Sequence, residues 1–215
     1  METNPRASSI RTRMRSSSVH DNISEGLDTG VVVPVRAFSA AKARLATRLD
    51  PPARAALAQR LAENVVRAVQ PFPLVIVSSA PEVRAWADAR SISCLDDPGT
   101  LDAAADTGRA WAAASGLARV VVAHADLPFA RSLATVAEGG AGAIANIVAC
   151  HRNDGTPVLS VPVAAPFQFC YGPGSFVRHV DEAERCGLAV RVVHDPDLAF
   201  DVDVPEDLDA MALRT

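Results

Sequence analysis

Phe200-Asp201-Val202-Asp203-Val204-Pro205-Glu206-Asp207-Leu208 closes the patterned part of the chain, and how it is read decides the fold. In an extended strand Phe200, Val202 and Val204 share one face and Asp201 and Asp203 the other. Two carboxylates held side by side raise each other's pKa unless a cation intervenes, and an all-oxygen pair suits a hard ion such as Mg2+. A solvated strand end or a turn is the alternative reading of the same pair. Pro205 then stops the strand and opens a helix. Glu206 and Asp207 fall in its first turn, where acidic side chains meet the positive end of the helix dipole, so they read as capping charge rather than as ligands.

Upstream, short β-branched runs alternate with alanine-rich amphipathic stretches, the pattern of a sheet with crossover helices. Strands are predicted over Val31–Val35, Leu74–Ser78, Ile92–Leu95, Val120–His124, Gly142–Ala149, Pro157–Val161, Val190–Val193 and Phe200–Val204. Helices are predicted over Pro51–Val69, Leu101–Ser115, Ala130–Ala137, Ser175–Cys186 and Glu206–Leu213. Asp50 caps the first of these, and Leu57, Leu61, Val65 and Val69 line one of its faces. The result is an α/β protein with a mostly parallel sheet, and its ligands belong where strands end at their carboxyl edge.

With 215 residues, 49% of them hydrophobic, the chain can bury one sizeable core. The expectation is a tail over residues 1–30 and a single domain over 31–215. The tail carries Arg6, Arg11, Arg13, Arg15 and many serines with few acids, a disordered composition. Its faint likeness to a transit peptide is outweighed by the simpler reading of a tail, or of a start at Met14. A net charge of −4 offers no basis for sequence-independent nucleic-acid binding. No apolar run reaches the roughly 18 residues of a membrane span. Cys94, Cys150, Cys170 and Cys186 are scattered without metal-site spacing. A cytoplasmic enzyme acting on small molecules, with no membrane partner, is expected. Its oligomeric state stays open, a homodimer being the commonest arrangement.

Several strand ends carry chemistry. Arg36, Lys42 and Arg44 follow the first strand without the glycines of a Walker or dinucleotide loop, so they read as anion-binding cations or as a basic helix start. Asp126, in Ala125-Asp126-Leu127-Pro128, ends the fourth strand as a third acid for a divalent site, or as a helix cap. His124, two residues earlier, reads as a packed or surface residue more readily than as a ligand. Tyr171-Gly172-Pro173-Gly174-Ser175 runs into a helix whose free amides could seat an anion, although a plain serine cap explains it equally. Gly155-Thr156 offers a further hydroxyl and amide, or a hairpin turn.

Taken in order, Lys42-x-Arg44-Leu45, Leu101-Asp102, Ala125-Asp126-Leu127-Pro128, Gly155-Thr156, Gly172-x-Gly174-Ser175 with His179, and Asp201-x-Asp203-x-Pro205-x-Asp207-Leu208 resemble the guanylyltransferases of deazaflavin coenzyme biosynthesis. That resemblance implies a three-layer nucleotidyltransferase fold, GT-A-like and Rossmann-like, with a mostly parallel mixed sheet flanked by helices. It implies transfer of GMP from GTP to phosphoenolpyruvate or 2-phospho-L-lactate with release of pyrophosphate, and hand-over of the product to a downstream transferase. By the same resemblance Asp126, Asp201 and Asp203 hold Mg2+, and Thr156, Gly172 and Ser175 form the phospho-acid pocket, where the amide of Gly174 is expected to help hold the acceptor. Lys42 and Arg44 match first-loop cations that face the triphosphate in related nucleotidyltransferases and, with Asp126, are the expected catalytic residues. Arg36 is expected to bind the nucleotide beside them, and Asp102 stands where the family commonly has asparagine, as a candidate for base recognition. Pro157 stands after Thr156 where the family often has an asparagine. A related transferase with another nucleotide or acceptor, or a non-catalytic nucleotide-binding module, is the alternative.

Overall fold

The computed structural model describes residues 28–214; the tail expected over residues 1–30 falls almost wholly outside them. Seven strands run β1 Thr29–Pro34, β2 Leu74–Val77, β3 Ser93–Leu95, β4 Arg119–Ala123, β5 Ile144–Val148, β6 Val158–Pro162 and β7 Ala189–Val192. The helices are α1 Pro51–Val69, α2 Pro81–Asp88, α3 Leu101–Ala114, α4 Ala134–Ala137, α5 Ser175–Arg185 and α6 Pro205–Arg214. One sheet has the order β3-β2-β1-β4-β6-β5-β7, parallel except where β6 runs against both β4 and β5. This is the mostly parallel mixed sheet the alternation predicts. Because β6 is reversed, its start lies level with the end of β4, Val158 opposite Ala123. The segment entering β6 therefore reaches the same edge of the sheet as the residues leaving β1 and β4.

Both faces of the sheet are covered. Val31, Val33, Ile76 and Val121 pack with α1 and α2, through Val65, Val69, Val83 and Trp86. On the other face Val32, Val75, Val120 and Ile147 pack with α3 and α5, through Ala105, Ala112 and Ala183. α3 approaches closely because residue 108 is glycine: a Cβ there would lie 2.3 Å from both methyl carbons of Val32. Among the described residues no helix is long and apolar enough to cross a membrane.

Two expectations are corrected and one helix was missed. Phe200–Val204 is not a strand; the segment is extended but joins no ladder. Its alternation survives for another reason, since Phe200 and Val202 are buried against Leu45, Leu57 and Leu61, while Asp201 and Asp203 stay partly exposed. The helix predicted to start at Ala130 spans only Ala134–Ala137, because Pro128 and the turn after it carry the chain away from β4. Finally, α2 was not foreseen, although Pro81 at its start and Val83, Trp86 and Ala87 on its buried face have helical spacing.

Candidate active site

The chain leaving β1 folds into two 3-10 turns, Phe38–Ala40 and Ala43–Leu45, pinned at either end by buried Phe38 and Leu45. Phe38 packs edge-on against Trp86, with ring centroids 5.6 Å apart. Between the turns Lys42 takes a left-handed backbone, φ 54°, which is uncommon for a residue with a side chain and is often held at functional positions. That conformation sends its ammonium inward. Lys42 Nζ donates to Asp126 Oδ2 at 2.7 Å and to Asp203 Oδ1 at 3.3 Å.

Two long-range contacts bring those acids together. Val202 N donates to the backbone oxygen of Asp126 at 3.2 Å, tying the extended segment to the end of β4. From α1, Asn64 Nδ2 donates to the carbonyls of Leu127 and Ala130 at 2.9 and 3.1 Å, holding the turn after Asp126. Downstream, Asp207 Oδ2 accepts from the amides of Asp203 and Val204 at 2.7 and 2.8 Å. This is a capping arrangement at the start of α6, as its place in the first turn predicts.

Charge is unevenly shared. Burial raises the Asp126 carboxyl pKa, but the Lys42 ammonium outweighs it and holds the group below its ordinary range. Burial, Asp126 and Asp203 together raise Asp201. Asp201 does not touch Lys42. Its Oδ1 lies 3.2 Å from His151 Nδ1 and 3.6 Å from Arg152 Nη1, in neither case with hydrogen-bond geometry, and the Arg152 guanidinium is near enough for ionic attraction. Arg152 also pairs with Asp207. His151 and Arg152 were missed in the sequence, since nothing in their local pattern marks them as partners of a distant acid.

Around Lys42 lies a cleft of about 440 Å³, lined by Arg36, Lys42, Arg44, Asp126, Asp203 and His124, with Thr100 and Leu101 opposite. It opens where β1 and β4 end. A separate hollow of about 500 Å³ lies between the end of α1 and β3, and none of Asp126, Asp201 and Asp203 lines it. That trio offers oxygens suited to a hard divalent cation, and Asp126 Oδ1 is buried without a hydrogen-bond partner. Among the described residues, however, no group of three His, Cys, Asp or Glu is arranged as a metal site. The Lys42 ammonium stands between two of the three acids, where a metal ion would neutralise them.

The residues predicted for the acceptor form a second group beside the cleft. Ser175 Oγ and Thr156 Oγ1 are 3.5 Å apart, and His179 Nδ1 lies 3.0 Å from Thr156 Oγ1. Cys170 N donates to His179 Nε2 at 3.0 Å, so a neutral ring carries its proton on Nδ1 and donates to Thr156. The helix amides are already engaged. Gly174 N donates to Asp154 Oδ1 at 2.7 Å, Ser175 N to the carbonyl of Gly172 at 3.0 Å and Phe176 N to that of Asp154 at 3.1 Å. The chain's own Asp154 carboxylate thus takes the seat expected for a ligand anion, and Gly174, not Ser175, is the cap residue. Asp102 bonds to the loop before α5 and is not among the residues lining the cleft. Its Oδ1 accepts from Tyr171 N at 2.6 Å, while Thr100, Leu101 and Ala104 face the cleft.

Burial, with smaller contributions from Arg178 and His124, pushes the pKa of His179 from 6.5 down to about 4. A depressed folded-state value favours the neutral ring, so the stability it confers is complete above the unfolded pKa and is lost as pH falls through the folded one. The span corresponds to about 3 kcal/mol. Between pH 6.5 and 4, urea unfolding should therefore show the wild type losing about 3 kcal/mol more than His179→Gln. Parallel pH slopes would show that burial of this ring has no such consequence.

A family model described as "Guanylyl transferase CofC like" matches residues 29–214. The phosphoenolpyruvate guanylyltransferase of Rubrobacter xylanophilus is 36% identical over 184 residues, 82% of this chain and 90% of that one. Its counterpart in Sphaerobacter thermophilus is 33% identical over 198 residues, 86% of this chain and 93% of that one. Among solved structures, a chain from Desulfovibrio desulfuricans described as a nucleotide-diphospho-sugar transferase superposes with a TM-score of 0.69 at 16% identity, covering 86% of both chains. A nucleotidyl transferase from Methanothermobacter superposes with a TM-score of 0.56 at 16% identity, over 86% of this chain and 96% of that one. Likeness at such identity speaks to the fold, which is that of nucleotidyltransferases.

Proposed function

The chain belongs to the family of CofC-like guanylyl transferases, and we propose from that premise that it joins GMP from GTP to phosphoenolpyruvate, releasing pyrophosphate, in deazaflavin coenzyme biosynthesis in the cytoplasm. The observation supporting the site is the cleft at the ends of β1 and β4, where Lys42 meets Asp126 and Asp203 and where Arg36 and Arg44 add positive charge. Phosphoenolpyruvate is preferred over 2-phospho-L-lactate because the relatives carry that name.

In this reading an anionic phosphate oxygen of the acceptor attacks the α-phosphorus of GTP in line. A phosphoanhydride bond forms as the bond to the bridging oxygen of pyrophosphate breaks, and that oxygen leaves with the electron pair. No proton need move, since the attacking oxygen is already ionised near neutral pH, so rate comes from alignment and neutralisation of charge. Lys42 and Arg44 would offset the charge of the departing pyrophosphate, and Arg36 that of the nucleotide. A divalent cation, Mg2+ in this proposal, would be held by Asp126, Asp201 and Asp203 and supply the larger part of that neutralisation. Thr156 and Ser175 would hold the acceptor. The amides of Gly172 and Gly174 would join them once Asp154 yields its place. Asp102, through Tyr171 N, would shape the acceptor loop instead of reading the base. The anhydride product is reactive enough that transfer to a downstream enzyme, from a homodimer or a monomer, belongs to the same proposal.

The test is to incubate the purified chain with GTP and Mg2+ and each of phosphoenolpyruvate, 2-phospho-L-lactate and 3-phosphoglycerate, following pyrophosphate. Release with GTP and phosphoenolpyruvate is expected. Release only when CTP replaces GTP would favour a related transferase using another nucleotide, and silence with every pair would overturn the assignment.

A further inference from the structure

Two side chains link the Lys42 cleft to the Thr156–Ser175 group through ring contacts, and the polar ends of both go unused. His124 Nε2 and the Tyr171 hydroxyl are buried without a hydrogen-bond partner. Their rings are neighbours, with centroids 5.5 Å apart and planes inclined at 45°. Tyr171 also stands edge-on to His179 at 4.8 Å, the residue bonded to Thr156. His124 lines the cleft with Asp126, and its backbone amide bonds to Pro157, the residue after Thr156. The pair therefore bridges the two groups of site residues.

Both are held in place by contacts that leave those ends unengaged. The Tyr171 amide donates to Asp102 Oδ1 at 2.6 Å, and its ring stacks on Phe169 with centroids 6.2 Å apart and planes within 11°. The His124 amide donates to the carbonyl of Pro157 at 2.9 Å. Burial, reinforced by the Asp102 carboxylate, holds the Tyr171 phenol well above its ordinary pKa, so it remains a donor throughout the neutral range. Folded proteins leave few buried polar atoms unpaired, because each one carries a desolvation cost. Two on neighbouring rings at the boundary of a site indicate a missing partner.

We infer that His124 and Tyr171 bind the acceptor, donating hydrogen bonds from Nε2 and the phenolic hydroxyl to an anionic oxygen of a small phospho-acid lying between the cleft and Thr156. This rests on the guanylyl-transfer reading. The acceptor is favoured over the nucleotide because Tyr171 belongs to the loop before α5, on the Thr156 side, whereas Arg36, Lys42 and Arg44 come from the β1 side. The pair adds a polar wall to a pocket otherwise furnished with hydroxyls. It would set which acids fit, since a carboxylate or phosphate oxygen satisfies both donors and an apolar substituent satisfies neither.

Tyr171→Phe removes one oxygen and keeps the ring packing, and His124→Gln keeps a polar side chain. In pyrophosphate-release kinetics each should raise KM for phosphoenolpyruvate about tenfold, the loss of one good hydrogen bond to a charged group. KM for GTP and the melting temperature should stay near wild type. Thermal-shift titration with phosphoenolpyruvate alone should show the same tenfold rise in midpoint. Unchanged acceptor KM and midpoint in both variants, or a rise in KM for GTP instead, would overturn the inference. Failure of the wild type to release pyrophosphate would sink the functional reading on its own, and the titration midpoints would still decide whether the pair binds the acid.

Discussion

Asp126→Asn should lower kcat by about three orders of magnitude while leaving the fold intact. The substitution keeps shape and hydrogen-bonding capacity but removes a charge at the centre of the cleft. Its Oδ2 is the nearer of the two carboxylate partners of Lys42, at 2.7 Å, and its Oδ1 is the buried oxygen left free to meet a cation. Loss of a metal-linked neutralising group is worth several kcal/mol in phosphoryl chemistry, and about 4 kcal/mol corresponds to a thousandfold. The fold should persist because the Asp126 backbone oxygen, unaffected by the change, still accepts from Val202 N. Lys42 also keeps Asp203. The measurement is steady-state pyrophosphate release at saturating GTP and phosphoenolpyruvate, beside a melting curve. Near-normal turnover would remove Asp126 from the reacting centre, whereas a collapsed melting curve would mean that its charge serves the fold.

Gly108→Val should destabilise the protein by about 3 kcal/mol, the upper range for overfilling a packed interior. For a chain of this size that is a fall of about 6–12 °C in melting temperature. A valine would gain little from helix propensity, and its first side-chain carbon would already lie 2.3 Å from both Val32 methyl carbons. Either the Val32 side chain or α3 must move. If α3 moves, its first turn moves too, and with it Thr100 and Leu101 on the wall of the cleft. The variant should consequently show a raised KM for GTP even at temperatures where it is folded. A melting temperature within a degree or two of wild type would mean that Val32 can turn aside freely.

The element order was legible because buried strands and amphipathic helices differ in period, and the seven strands that pair lie within a residue or two of their predicted places. Phe200–Val204 shows the limit of that logic. Alternating burial requires only that every second residue face an apolar surface, and Leu45, Leu57 and Leu61 supply one without a neighbouring strand. The acids and cations of the cleft could be listed because they follow or interrupt buried apolar runs, two of them real strands and one, Phe200–Val204, only extended. Their pairing could not, since nothing local says that Lys42 reaches Asp126 and Asp203 while Asp201 turns toward His151 and Arg152. At the start of α5 the glycines and free amides could be listed as a seat for an anion, but nothing local says that Asp154, twenty residues upstream of Gly174, supplies a carboxylate there.

The turn between β5 and β6 reaches both halves of the site within four residues. His151 and Arg152 grip Asp201 and Asp207 at one end, and Asp154 holds the amides of α5 at the other. It serves as a measuring rod cut to one length. Adding or deleting a single residue there would leave each half well formed yet set them at the wrong separation, so natural variation in this stretch should preserve length more strictly than composition.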